Sequence, residues 1–141
     1  MKNQFKLGIV AITISLFSCT EDDLFNEDAD SRDEFAGNWL ASESSYLLGS
    51  RVYEVDINKD SDFGSRINIL NFYKLGVTDS VYATVSAIES NTITIPNQIV
   101  NNNGIRGTGI LSGNEINLVY YIDDGNDIDT VNTTYTRDVS F

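Results

Sequence analysis

The 141 residues contain no histidine, which removes the commonest general base, the commonest zinc ligand and every nucleophilic triad that turns on an imidazole. Carboxylates are left for acid–base work, since a pair of them can hydrolyse a glycoside. Glu43, Glu54, Glu89 and Glu115 are the candidates, but they lie scattered, several at positions where a half-solvated sheet carries its charges outward. Two acidic runs resemble cation loops in spacing. Asp56-x-Asn58-x-Asp60-x-Asp62 places oxygens at alternate positions, yet Ser61 stands where a calcium loop requires Gly and Ile67 where it requires a bidentate Glu. Asp123 to Asp129 is rich in turn-tolerant residues. Both runs are expected to be hairpin loops without a metal. Gly107-Thr108-Gly109 is expected to be strand, because no helix follows to make a phosphate loop. Its glycines leave one face bare, which suits a barrel bend or close backbone approach. No catalytic residue is assigned, and the chain is expected not to be an enzyme. What remains is aromatic. Trp39, Tyr53, Tyr120 and Tyr135 fall at inward-facing positions, with Tyr73 and Tyr82 unassigned. A tyrosine joins an apolar ring to a hydroxyl that needs a partner, which suits the mouth of a pocket. Tyr53, Tyr120 and Tyr135 are therefore the candidate ligand contacts.

Strands must position these side chains. From Phe35 to Phe141, β-branched and aromatic residues alternate with polar ones between clusters of Asn, Asp, Gly and Ser. A first strand is expected over Gly37–Ala41, and a second with Tyr53, Val55 and Ile57 opposite Glu54 and Asp56. After a turn through Asn58–Gly64, Ile67–Tyr73 form a third strand whose buried face is open, Ile67 and Ile69 competing with Leu70 and Phe72. Val81, Ala83, Val85 and Ala87 line a fourth. Ile93 and Ile95 mark a fifth, with Pro96 as its end, an edge or a bulge. Asn101 to Gly104 signal a hairpin into a sixth strand near Ile105–Leu111. A seventh strand alternates Ile116, Leu118, Tyr120 and Ile122. In the last, Val131, Thr133, Tyr135, Arg137, Val139 and Phe141 share a face. About eight short strands with tight turns predict an all-β antiparallel meander closed as a small barrel, with a β-sandwich as the alternative. A barrel of that size is either filled by its own side chains or holds one small ligand.

The N-terminal segment follows another logic. Lys2 and Lys6 precede an apolar stretch, Leu7 to Phe17, the layout of a secretory signal and too short to cross a bilayer. Leu16-Phe17-Ser18-Cys19 resembles the bacterial lipobox, in which the cysteine becomes a lipidated N-terminus, although Phe17 replaces the usual small residue. The resemblance implies residues 1–18 as a removed signal peptide and acylation of Cys19, the only cysteine. That leaves no intrachain disulfide and no free thiol. Thr20-Glu21-Asp22-Asp23 is similar to an acidic signal carried by lipoproteins of the outer membrane, and a plain solvated tether is the alternative. The chain carries a net charge of −12, and losing Lys2 and Lys6 with the signal takes it to −14. Such a surface repels nucleic acid and anionic headgroups. Residues 19–34 are expected to be a lipidated, acidic, flexible tether, and residues 35–141 one domain.

Phe35-Ala36-Gly37-Asn38-Trp39 resembles the opening of lipocalin-like (calycin) barrels, where Gly-x-Trp begins the first strand. In that superfamily an Arg of the last strand commonly lies against the Trp. The resemblance implies a structural clasp of Gly37, Trp39 and Arg137, and an indole under a guanidinium gains cation–π attraction on any fold. The likeness is strongest to the short lipocalin-like domains of bacterial lipoproteins. The chain is thus expected to be a monomeric lipoprotein of the bacterial outer membrane, facing the periplasm or the outer surface. Its membrane contact is the Cys19 lipid, with no other cofactor. It is expected to bind a small amphipathic or glycan-derived ligand; the alternative is a structural or protein-interaction role with a filled barrel.

Overall fold

In the computed structural model, which describes residues 29–137, the alternating segments become eight strands. They are β1 Gly37–Ser45, β2 Gly49–Lys59, β3 Arg66–Leu70, β4 Ser80–Val85, β5 Thr92–Val100, β6 Asn103–Ser112, β7 Glu115–Asp123 and β8 Ile128–Arg137. Each is antiparallel to the next, and β8 returns to β1 from Trp39↔Arg137 to Ser45↔Val131, closing the barrel. Closure settles the choice against a sandwich, because it gives the first and last strands each other's backbone groups and leaves no free edge. Residues 1–28, with Cys19, and Val139 and Phe141 lie outside the described residues.

Inward positions follow the period of two. Tyr53, Val55 and Ile57 of β2, Ile116, Leu118, Tyr120 and Ile122 of β7, and Val131 and Tyr135 of β8 are all buried. The third strand resolves its ambiguity by breaking. Ile67 and Ile69 face the core along β3, then Asn71 takes a left-handed backbone (φ 57°) that resets the phase and buries Phe72 as well. β4 stops at Val85, so Ala87, expected inside, is exposed: Ser86 makes the last bond to β5, its amide donating to the Thr92 carbonyl at 2.9 Å, and its hydroxyl accepts the amides of Ile88 and Glu89 in the turn. Pro96 sits in a bulge, the register slipping between Ile95 and Gln98 because proline has no amide to offer the ladder. The Gln98 side chain repairs the gap, its amide group donating to the Tyr82 carbonyl (2.8 Å) and accepting the Tyr82 N–H (3.1 Å).

An up-and-down meander has two ends. At one, Phe35 is buried beneath the first strand and its carbonyl accepts the Trp39 indole N–H at 2.8 Å. Residues 30–34, assigned to the tether by composition, pack here too. Arg32 donates to the carbonyls of Asp60 (2.9 Å) and Phe63 (3.0 Å) in the β2–β3 loop, while its guanidinium pairs with Asp30. A low-hydrophobicity segment is thus held by a forked cation that reads carbonyls directly, with Lys59 of β2 paired to Asp33 and Asp30 beside it. The chain enters the domain at this end; the other holds the polar side chains.

Candidate functional site

β1 carries an unexpected inward series: Trp39, Ala41, Glu43 and Ser45 are all buried. Glu43, expected with the scattered outward carboxylates, is therefore inside the barrel, its side chain fully covered. It survives there because every oxygen is used. Arg51 of β2 donates to it through Nε (2.9 Å) and again through Nη2. The hydroxyls of Tyr53 and, at 2.5 Å, Tyr120 donate to its other oxygen. The structure thus brings two of the three candidate tyrosines together on one carboxylate. Tyr135 lies on the same inner face, fully buried, but its hydroxyl has no partner among the described residues. Glu54, Glu89 and Glu115 are exposed and apart from one another.

A second carboxylate, Asp129 at the start of β8, lies nearer the end of the barrel. It accepts the Ser45 hydroxyl (2.5 Å), the Leu47 amide (3.0 Å) and the Tyr73 hydroxyl (2.7 Å). Burial pulls its pKa upward, but the bonds from Ser45, Tyr73 and the backbone outweigh that and hold it below the ordinary carboxylate value. Burial, with the hydrogen bond to Asp129 and its charge, pushes the Tyr73 hydroxyl up to about 12. Burial, with the neighbouring Tyr135 and Tyr53 and the Glu43 carboxylate, raises Tyr120 well above 10.0. At neutral pH Tyr73 and Tyr120 are therefore protonated donors, and Tyr73 faces an ionised Asp129.

Tyr73 reaches this site from a strap, the 3-10 turn Phe72–Lys74 and its flanks, which spans the gap above the short β3. Asn71, Tyr73 and Lys74 all have positive φ (57°, 54° and 61°), and non-glycine residues held in that region cost roughly 1–3 kcal/mol each. Asn71 pins the strap by donating its side-chain amide to the Glu54 carbonyl at 2.8 Å. Phe72 drops onto the Tyr120 ring, centroids 4.4 Å apart, and Tyr73 meets the same ring edge-on at 6.2 Å. The Arg51 guanidinium lies 4.3 Å from the Tyr73 ring centre. The barrel is thus closed at this end by side chains of its own strap.

Glycines set the depth of the site. A Cβ on Gly107 would stand 2.5 Å from that of Tyr120, and one on Gly109 would stand 2.9 Å from Leu118 Cγ. The bare face of β6 is therefore closely covered by Tyr120 and Leu118 of β7.

At the opposite end Trp39 and Arg137 are direct cross-strand partners. The guanidinium lies 4.4 Å from the indole and donates to the Glu34 carbonyl at 2.6 Å. Gly37, with φ 120°, opens the strand. The acidic runs serve their turns. Asp60 Oδ1 accepts the amides of Asp62 and Phe63, and Asp124 Oδ1 those of Asn126 and Asp127. Tyr82 faces outward under Arg66, 4.1 Å from its ring centre. On the outer wall Ser42, Ser44, Thr108, Asn117, Asn132 and Thr134 border a shallow concavity of about 530 Å³ with no charged side chain.

Alternation was the signal for Glu43: carried two steps past Ala41, it puts Glu43 and Ser45 inside. Asp129 is likewise in phase with Val131, Thr133 and Tyr135, but it reads as the end of a turn cluster. Nothing local announces Tyr73.

No protein-family model matches the chain, and no curated protein matches it in sequence. Among solved structures it is similar to a redesigned β-barrel, b11L5F_LGL, with 10% identity and a TM-score of 0.56 over 77% of this chain and 96% of that one. It is also similar to EF1p2_mFAP2b bound to DFHBI, with 11% identity and a TM-score of 0.55 over 77% of this chain and 98% of that one. At such identities the likeness is one of fold: a small antiparallel barrel of eight strands.

Proposed function

We propose that the chain is a lipid-anchored envelope protein whose lipocalin-like barrel binds a small amphipathic molecule at the Asp129 end, without catalysing a reaction on it. The observation that carries this reading is the pair of buried carboxylates under a strained strap. A buried ion pair is weak support for a fold, and well-packed apolar residues of similar volume often do as well or better. Glu43 with Arg51 therefore makes better sense as a recognition group than as a stabiliser, and Asp129 accepts the hydroxyl of Tyr73, whose ring lies against the same Arg51. Strain gathered in the strap points the same way, since such backbone clusters at clamps and switches.

The rim supports the reading. Tyr46, Leu47 and Leu48 at the β1–β2 tip, Val77 beyond the strap, Ile99 of β5 and Ile128 of β8 are exposed, and the meander brings all of these segments to one end. An apolar rim around a polar floor suits an amphipathic molecule. The similar barrel EF1p2_mFAP2b is bound to DFHBI, which lends the fold capacity for such a guest. The lipobox resemblance at Cys19 supports the anchor, and the likeness of Thr20-Glu21-Asp22-Asp23 to an acidic sorting signal supports a place in the bacterial outer membrane. The chain enters the domain beside Trp39, at the end of the barrel opposite the rim.

One observation favours a second role. Tyr53, Tyr120 and Tyr135 are all buried, as in a filled barrel that meets a protein partner through its rim. A thermal-shift and native mass-spectrometry screen against envelope lipids, aromatic amphiphiles and glycan fragments separates the two. Saturable stabilisation by a hit, lost with Arg51→Leu, is the expected result. Absence of any hit by both methods overturns the small-molecule reading.

A further inference from the structure

The strap's own side chain indicates which small molecule the barrel takes. The Tyr73 ring lies under the Arg51 guanidinium, 4.3 Å from ring centre to Cζ, and edge-on to Tyr120 at 6.2 Å. Its hydroxyl donates to Asp129 at 2.7 Å. These are three distinct kinds of recognition: a cation over a π-face, an aromatic wall, and a charge-assisted hydrogen bond from a neutral hydroxyl. Together they define a site for a phenol. Tyr73 fills it from backbone in the left-handed region (φ 54°), and Lys74 beside it is held likewise at 61°. The contacts keep Tyr73 in place while the backbone favours its release. Deeper in the barrel, the buried Tyr135 hydroxyl has no partner among the described residues.

We infer that Tyr73 is a built-in stand-in for the ligand, and that the barrel binds small phenolic compounds that displace it from between Arg51, Tyr120 and Asp129. This rests on the small-molecule reading and adds the ligand class. Outside the strap the site stays formed: Asp129 keeps its bonds from Ser45 and Leu47, and Arg51 keeps Glu43. When Tyr73 leaves, Arg51 and Asp129 are the two charged groups without their former cover.

The stand-in competes with the guest, so apparent affinity is reduced by the fraction of time Tyr73 is out. The test is calorimetric titration of the full chain with 4-methylphenol and with 4-methylanisole, which keeps the ring and blocks the hydroxyl. The chains compared are wild type, Tyr73→Phe and Tyr73→Ala. Tyr73→Phe retains the ring and the fold but weakens the stand-in, so 4-methylphenol binds it more tightly than wild type. Tyr73→Ala binds tightest. The anisole is weaker by roughly tenfold or more, the worth of one hydrogen bond to a charged group. Equal affinity of 4-methylphenol for wild type and Tyr73→Phe overturns the inference, as does equal affinity of the two compounds. If neither compound binds but another screened molecule does, the phenol assignment fails while the small-molecule reading stands. If nothing binds even Tyr73→Ala, both fail.

Discussion

Replacing Glu43 by Ala takes the acceptor from three donors at once. Glu43 is fully covered, whereas the Arg51 side chain keeps 19% of its surface exposed, so the guanidinium recovers some water when its partner is lost. The Tyr53 and Tyr120 hydroxyls do not recover, being buried with Glu43 as their acceptor. Each orphaned buried hydroxyl costs about 1–3 kcal/mol, and breaking a buried ion pair from one side costs about 3–5 kcal/mol in all. The expected loss for Glu43→Ala is therefore about 3–5 kcal/mol, in urea unfolding followed by the fluorescence of Trp39, the single tryptophan. The complementary variant removes the two hydroxyl donors as well and leaves the part-exposed Arg51 to water. Glu43→Leu with Tyr53→Phe and Tyr120→Phe leaves no hydroxyl stranded, and its stability should return to within about 1–2 kcal/mol of wild type. A loss below about 1 kcal/mol for Glu43→Ala would mean the pair behaves like an exposed one, and the buried network would be wrong. Failure of the triple variant to recover would place the cost in packing instead.

Trp39→Ala should cost about 3–5 kcal/mol, as large core truncations do, because the indole is 1% exposed under Arg137; an unchanged melting curve would deny the clasp. Gly107→Ala should destabilise by at least about 1–3 kcal/mol, the new Cβ meeting backbone and Cβ of β7 rather than a flexible side-chain end, and an equally stable variant would show that β6 has room to shift. Tyr73 is raised from its ordinary 10.0 to about 12, so its contribution is complete below pH 10 and is lost as pH rises through 12; the stability gap between wild type and Tyr73→Phe should therefore close over that interval, and a constant gap would contradict the bond to Asp129. Cys19→Ser should leave an uncleaved or soluble protein, and unchanged membrane fractionation of a cleaved product would refute lipidation.

The barrel was legible because a half-buried strand writes its faces in alternate residues, as Tyr53, Val55 and Ile57 of β2 and Ile116, Leu118, Tyr120 and Ile122 of β7 do. Where that failed, backbone geometry intervened. Asn71 resets the phase after β3 through a left-handed angle that no periodicity encodes, and Ser86 ends β4 before Ala87 can turn inward. The Trp39–Arg137 pair was accessible through resemblance, and the register that joins them lies in the closure of β8 on β1. The polar end was not legible for a different reason. Glu43 meets Tyr120 across 77 positions, and Asp129 meets Tyr73 across 56, so the site exists only once the sheet has closed and the strap has folded over it. A carboxylate in a strand reads as a solvated one until its three donors are placed.

The most direct test of a small-molecule site under the strap is a nuclear magnetic resonance titration of the isotope-labelled chain with whichever hit binds most tightly. The account predicts large, saturable shifts confined to the amides of Asn71 to Gly76, the β1–β2 tip and the start of β8, with the Trp39 indole unmoved at the far end. Shifts centred instead on Ser42, Thr108 and Asn132 would put the ligand in the outer concavity and contradict it.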